Sequence, residues 1–449
     1  MAEPSALLTI ADRRAAGHAQ RGRLSRSAHA EWTPPPDRPG PVDLLIAQSA
    51  QRIPELMPLR HGRMRTDPFA FLRGAACVMA VDLGLQPNTG LHVQACGDAH
   101  LANFGAIAGL HDQGLFDLND FDETLPAPFE WDVKRLATSL AVAALVQSTP
   151  DKACRSLARR AAHAYRREME QLAVVPPIDA WYARIGLDAA IEDIADRDIR
   201  RTERRRLHQA VQTGRDGYAH LISSDGRLRL AERPPTVTRL NAQTGIAHQA
   251  FSDYIARLPE ERQVLLLRHR LRDVMFKAVG VGSVGTFCAI GLFATADGDT
   301  LLLQLKEAQD SVLAPQAGPS RYAHQGQRVV VGQRLMQAEP DVFLGWASAG
   351  ERYFYIRQLK DSRLASIGAQ IEASSLPFYA RLCGRTLARA HARSGDAAMI
   401  SGYLGDGDSF DEAIAGFAMA YADQTIADHR AFLTAIANGR IQATPEPRR

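Results

Sequence analysis

Residues 273–308 read DVMFKAVGVGSVGTFCAIGLFATADGDTLLLQLKEA. Apolar and small residues alternate around glycines, which predicts a β-hairpin turning at Asp297-Gly298 with a glycine-rich loop in front of it. That loop is Gly280-Val281-Gly282-Ser283-Val284-Gly285-Thr286. Glycines let backbone N–H groups come close to phosphate oxygens, so Gly280, Gly282, Ser283 and Gly285 are candidate phosphate contacts. A lone GxGxxG is weak and also suits a plain hairpin turn. A dinucleotide-binding unit is excluded, because a strand pattern rather than a helix follows.

Working outward, Lys306 falls in LLLQLKEA on the second strand of the hairpin. A kinase-type phosphotransferase carries its phosphate-gripping lysine at that place; the plain alternative is an exposed edge-strand lysine. Far earlier come Cys96-Gly97-Asp98-Ala99-His100-Leu101-Ala102-Asn103 and Phe116-Asp117-Leu118-Asn119-Asp120-Phe121-Asp122-Glu123. An Asp, an Asn five residues on, and then Asp-Phe-Asp is how phosphoryl-transfer sites arrange a catalytic base and metal ligands. Carboxylates this dense repel one another unless a cation neutralises them, and oxygen ligands suit Mg2+ or Mn2+ better than zinc. Asn119-Asp120 alone could be a turn, and His100 reads as a structural hydrogen-bonding residue. Asp132 opens a helix and is either an ordinary first-turn acid or a brace for the Asp98 loop. His391 reads as packing or surface. No GxSxG occurs, so a serine nucleophile lacks support.

The chain has 449 residues, 46% of them hydrophobic and 23% charged, with a net charge of +3. That length predicts two or three lobes, and the weak charge argues against a nucleic-acid binder. The cysteines (Cys77, Cys96, Cys154, Cys288, Cys383) form no CxxC pair, which points to a reducing cytoplasm. The N-terminal residues lack a signal-peptide core, and no apolar run is long enough for a membrane helix. Residues 1–60, rich in Arg and Pro, read as an extended arm with one short helix near 42–53. Pro68 to Leu85 reads as a helix, 91–95 and Gly114–Leu118 as strands, and Trp131 to about Tyr254 as mostly helical, its Arg run a solvated face. A helix near 324–338, a strand at 353–359 and helices from Leu376 follow.

Long stretches (RMRTDPFAFLRGAA, CGDAHLANFG, FDLNDFDETLPAPFEWDVKRLA, LQLKEA, GQRVVVGQRLMQ, FYIRQLKDSR and LARAHARSGD) closely resemble the domain of unknown function 2252 family over nearly the whole chain. That family is grouped by distant similarity with protein-kinase-like and aminoglycoside-phosphotransferase-like folds. The resemblance implies an α+β, two-lobed, protein-kinase-like fold, with a mainly helical C-lobe and a small antiparallel-sheet N-lobe. The lobes would be circularly permuted, because the glycine loop and Lys306 follow the catalytic loop instead of preceding it. The expected division is an arm over 1–60, a helical lobe over 61–265, a nucleotide-binding β lobe over 266–362, and helices over 363–449 packing on the helical lobe.

Carried over residue by residue, the resemblance makes Asp98 the catalytic base, Asn103 a catalytic-loop metal ligand, Asp120 the principal metal ligand and Asp122 the second. Asp117 is the rival to Asp120. Lys306 would hold the nucleotide phosphates under the glycine loop. One departure stands out: the helix GQRVVVGQRLMQ has no acid for Lys306, Val331 standing where relatives often have Glu, with Gln327, Gln333 or Glu307 as substitutes. The expected function is ATP- and Mg2+-dependent phosphotransfer to a small-molecule hydroxyl. The alternatives are a catalytically impaired nucleotide-binding module and a metal-dependent phosphoesterase.

Overall fold

A computed structural model describes residues 8–108, 114–216, 221–223, 228–234, 237–239, 244–277, 284–359 and 371–444. The front of the chain builds two small ribbons. Strand β1 (His92–Ala95) pairs antiparallel with β4 (Leu125–Pro128), and β2 (Phe104–Ala108) with β3 (Gly114–Leu118). The Asp98 loop links β1 to β2, and the acidic segment links β3 to β4, so both motifs lie at ribbon ends. The helix Phe129–Val146 follows and is buried on nearly every side. An all-round buried helix needs neighbours on all faces. It finds them in Asp151–Leu172 and Ser409–Ala437, with Leu376–Ala392 on a further side. Asp151–Leu172 buries Leu157, Ala158, Ala161, Ala162, Tyr165 and Met169, the one-sided spacing of an amphipathic helix. Gly384 lets Leu376–Ala392 come close: a Cβ there would stand 2.3 Å from the Ala161 carbonyl oxygen.

A six-stranded antiparallel sheet forms the second layer, in the order β11-β12-β10-β9-β8-β7. Its strands are β7 (Val237–Arg239), β8 (Arg270–Lys277), β9 (Cys288–Ala294), β10 (Thr300–Glu307), β11 (Gly345–Ala349) and β12 (Arg352–Gln358); a short pair, β5 (Ile222–Ser223) with β6 (Arg229–Leu230), forms its own ribbon packed against β8. The β9–β10 hairpin turns at Asp297-Gly298 as expected, with Gly298 at φ +96°. The lobe begins before residue 266. Strand β7 edges the sheet, and the helix Thr244–Arg257 buries Ala247, Ala250, Phe251 and Tyr254 against Phe287, Leu305 and Phe354. That spacing is one helical stripe whose apolar partner is the sheet.

The N-terminal residues also differ from the expected arm. A helix spans Ile10–Ala19, opened by a capping box between Thr9 and Asp12, and a second spans Pro41–Ser49. Ile10–Ala19 crosses Ala397–Leu404 at glycines on both sides. A Cβ on Gly17 would meet the Met399 carbonyl oxygen at 1.9 Å, and one on Gly402 the Arg14 oxygen at 2.1 Å. Arg21 then donates to the carbonyls of Gly402 and Tyr403, and Arg26 to that of Leu404. These guanidinium groups satisfy carbonyls that a helix end leaves without partners. The expected helix Pro68–Leu85 is two, Pro68–Gly74 and Ala76–Gly84, broken where Ala75 adopts φ −115°, ψ 38°.

Candidate functional site

The Asp98 loop is held from below. Gly97, at φ +82°, passes so close to the acidic segment that a Cβ would lie 2.4 Å from the Glu123 carbonyl oxygen. Asp132 accepts from the backbone N–H of Cys96 (2.6 Å) and of Gly97 (3.0 Å). His391 Nε2 lies 3.1 Å from Asp132, and its Nδ1 lies 2.9 Å from the Tyr165 hydroxyl. Asp132 is therefore a brace for the loop, and His391 orients it. Asn103 donates its side-chain amide to the Asp98 carbonyl (2.6 Å), closing the loop on itself. The Asp98 carboxylate receives Arg135 Nε (2.9 Å) and Nη2 (2.6 Å) on Oδ1. Burial raises the Asp98 pKa, against the pull of Arg135.

The acidic segment meets the sheet. Lys306 Nζ donates to Asp122 Oδ2 at 2.7 Å and lies 3.9 Å from Asp120 Oδ1. In the sheet register Lys306 pairs with Tyr355, whose hydroxyl donates to Asp122 Oδ1 (2.5 Å). The two β-lobe side chains thus share one carboxylate. Burial alone would raise the Asp122 pKa, but the Lys306 ammonium and the Tyr355 hydroxyl hold it at about 2. Burial lowers the Lys306 pKa, and Asp120 and Asp122 reverse that into a rise. Asp120 is raised, first by burial and then by the neighbouring Asp122.

The helix Gln325–Met336 brings no acid to Lys306. Gln333 donates to Gln337, and Glu307 accepts from the Phe287 N–H. What the helix supplies is Arg328, whose guanidinium donates to the carbonyls of Asp122 (2.9 Å), Thr124 (2.7 Å) and Gln309 (2.7 Å). The acid sought on the helix stands in the acidic segment, as Asp122. Asp117 lies apart: it accepts from the Ala338 N–H (2.9 Å) and ties β3 to the chain after that helix.

Residues 52–435 match the family described as an uncharacterised protein conserved in bacteria, domain of unknown function 2252. The chain belongs to that family. No curated protein and no solved structure matches the chain. The family match opens at Arg52, which the structure places at the cleft, whereas the helix Ile10–Ala19 lies outside the matched range.

In this family member the two motifs open onto one cleft of about 690 Å3, lined by Asp98, Asn103, Asp120, Asp122 and Glu123 from one layer, by Thr286 just before β9 and by Glu307 at the end of β10. Gly280, Gly282 and Ser283 lie outside the described residues. Gly285 is described: its φ is +97°, and its carbonyl accepts from the Ile53 N–H (2.7 Å). Arg52 Nη1 donates to the next carbonyl back, that of Val284 (2.7 Å). The chain at 52–53 therefore clasps the end of the glycine loop, a contact no local pattern announces. Glu123 is a second feature that local reading leaves unassigned. It accepts from the Val312 N–H, and burial pushes its pKa up to about 7.

Among the described residues no three His, Cys, Asp or Glu side chains gather as a metal cage. Asp122 spends both oxygens on Lys306 and Tyr355. The donors that suit a cation are Asp120, whose side chain is 34% exposed, and the Asn103 side-chain oxygen. That set fits Mg2+, which is held by one or two carboxylates plus substrate phosphates and not by an all-protein cage. Among the described residues no helix is long and apolar enough to cross a membrane.

Proposed function

We propose that the chain is a kinase-like, circularly permuted phosphotransferase that uses ATP and Mg2+ and phosphorylates a hydroxyl on a small molecule. The observation that carries this reading is the meeting of Lys306 with Asp122 and Asp120, two carboxylates that line the same cleft as Asp98 and Asn103. The strand arrangement supports it. The glycine loop joins β8 to β9, Lys306 lies near the end of β10, the helix Gln325–Met336 follows, and β12 and β11 complete the sheet. Those are the parts, in that order, with which a kinase covers and grips nucleotide phosphates.

In this reading Lys306 holds phosphate oxygens, kept protonated by Asp120 and Asp122 and held in place by Asp122. Asp98 accepts the proton of the acceptor hydroxyl on Oδ2, since Arg135 occupies Oδ1 and His100 Nε2 lies 3.7 Å from Oδ2. Asp120 and Asn103 would hold Mg2+, which neutralises charge on the phosphates when bound. A second reading, nucleotide binding without turnover, draws on one observation: two N–H groups of Arg135 sit on the carboxylate meant to be the base.

ADP release from ATP and Mg2+ with a panel of small alcohols, sugars and aminoglycosides tests the proposal. Acceptor-dependent release that falls about a hundredfold in Asp98→Asn supports it. ATP binding with no release across the panel favours the second reading, and no binding removes both.

A further inference from the structure

The cleft is lined by Arg52, Arg60 and Arg73, and the last two guanidinium groups are incompletely hydrogen-bonded. Arg60 is 1% exposed, and its Nη2 donates to the Gly74 carbonyl (2.6 Å) and to Gln48 Oε1 (3.0 Å). Its Nε and Nη1 are buried with no hydrogen-bond partner, as is the Nε of Arg73, the residue beside Gly74. Both arginines line the cleft, together with Arg52. Among the described residues neither Arg60 nor Arg73 has an ion-pair partner. The carboxylates whose charge reaches Arg60 and Arg73 hold other partners: Asp98 pairs with Arg135, Asp67 caps the Ala70 N–H, Asp120 lies beside Lys306, and Glu123 accepts from the Val312 N–H. A buried guanidinium cannot shed its proton to escape the cost of burial, so an arrangement of this kind calls for an anion. Burial, with Arg52 adding to it, lowers the Arg60 pKa, and Cys77 and Glu123 oppose that only in part.

We propose that the part of the cleft around Arg60 and Arg73 is an oxyanion pocket that takes a phosphate group already carried by the acceptor, which makes the substrate a small phosphorylated alcohol. The substrate class rests on the phosphotransferase reading; the pocket itself does not. Phosphate is favoured over a carboxylate because a dianion balances two guanidinium charges and offers each a forked set of acceptors. The location also suits an acceptor. The pocket is built by the chain around Arg60 and Arg73, on helices separate from the sheet that carries Lys306.

The test is calorimetric titration of the full chain at low ionic strength with inorganic phosphate, with malonate, and separately with ATP and Mg2+. Phosphate should bind without nucleotide and more tightly than malonate. Arg60→Gln and Arg73→Gln should each weaken phosphate about tenfold, and leave ATP affinity within about twofold. Should Arg60→Gln fail to fold, Arg73→Gln carries the comparison, since Arg73 is only partly buried. No phosphate binding overturns the pocket, and malonate binding as tightly overturns its phosphate character. Equal weakening of phosphate and ATP overturns the acceptor assignment, because the arginines would then serve the nucleotide. Arginine-dependent phosphate binding without any ATP binding keeps the pocket and removes the phosphotransferase reading.

Discussion

Lys306 Nζ stands 2.7 Å from Asp122 Oδ2, although 184 residues separate the two. The pair joins the β10 strand of the sheet to the acidic segment between β3 and β4, and so closes one cleft from two distant parts of the chain. Lys306 is 2% exposed, and removing either partner strands a charge in a poorly solvated place. Lys306→Met should cost about 3 kcal/mol of stability, and Lys306→Met with Asp122→Asn should cost less than the two single changes added. Chemical denaturation of the four proteins measures this. Strict additivity would show that the contact contributes no coupling.

Glu123 sets a pH dependence. The folded chain keeps its proton up to about pH 7, whereas an unfolded glutamate releases it near 4.5. Between those values the folded state binds more protons, so this group makes stability fall as pH rises through that window. Glu123→Gln cannot ionise and should flatten that slope, gaining on the wild type by about 1–3 kcal/mol near pH 8. Parallel Tm profiles for the two proteins from pH 5 to 8 would contradict the assignment.

Asp132 is expected to matter through the loop it holds. Asp132→Ala leaves the Cys96 and Gly97 N–H groups without their acceptor, at a cost of about 2–4 kcal/mol. Asp132→Asn keeps an acceptor oxygen and should recover part of that. Hydrogen exchange at those two amides is the readout, and protection unchanged in Asp132→Ala would refute the brace.

Arg38 tests whether the N-terminal residues belong to the fold. Its guanidinium binds both oxygens of Asp82 (2.7 and 2.8 Å) and both of Asp428 (3.0 and 2.7 Å), and the Tyr421 hydroxyl donates to Asp82. Arg38→Ala strands two buried carboxylates and should destabilise by about 3–5 kcal/mol. A change within about 0.5 kcal/mol would mean a detachable arm.

How much of this was legible in the sequence follows from the range of the forces involved. The strands His92–Ala95 and Gly114–Leu118 and the turn at Asp297-Gly298 rest on local alternation and on glycine, and reading recovers them closely. The helix Ile10–Ala19 is polar and Arg-rich, and its stabilising contacts lie on Ala397–Leu404, as in the Arg13–Asp396 pair 383 residues apart. No window of sequence contains both. A kinase-like layout places the acid for its lysine on the following helix, and Gln325–Met336 carries none. Here Asp122 supplies it, and Arg328 takes the helix position facing the segment's carbonyls. The burial of Arg60 had no local signal, since an arginine in a short helix ordinarily reads as surface.

The central claim is that the Lys306–Asp120–Asp122 junction is a nucleotide site, and titration of ATP with and without Mg2+ into wild type, Lys306→Met and Asp120→Asn addresses it directly. Binding should be Mg2+-dependent in the wild type. It should weaken about tenfold or more in Lys306→Met, and lose its Mg2+ dependence in Asp120→Asn. ATP binding that neither substitution alters, or a wild type that binds no ATP at all, would place the nucleotide elsewhere or nowhere on this chain.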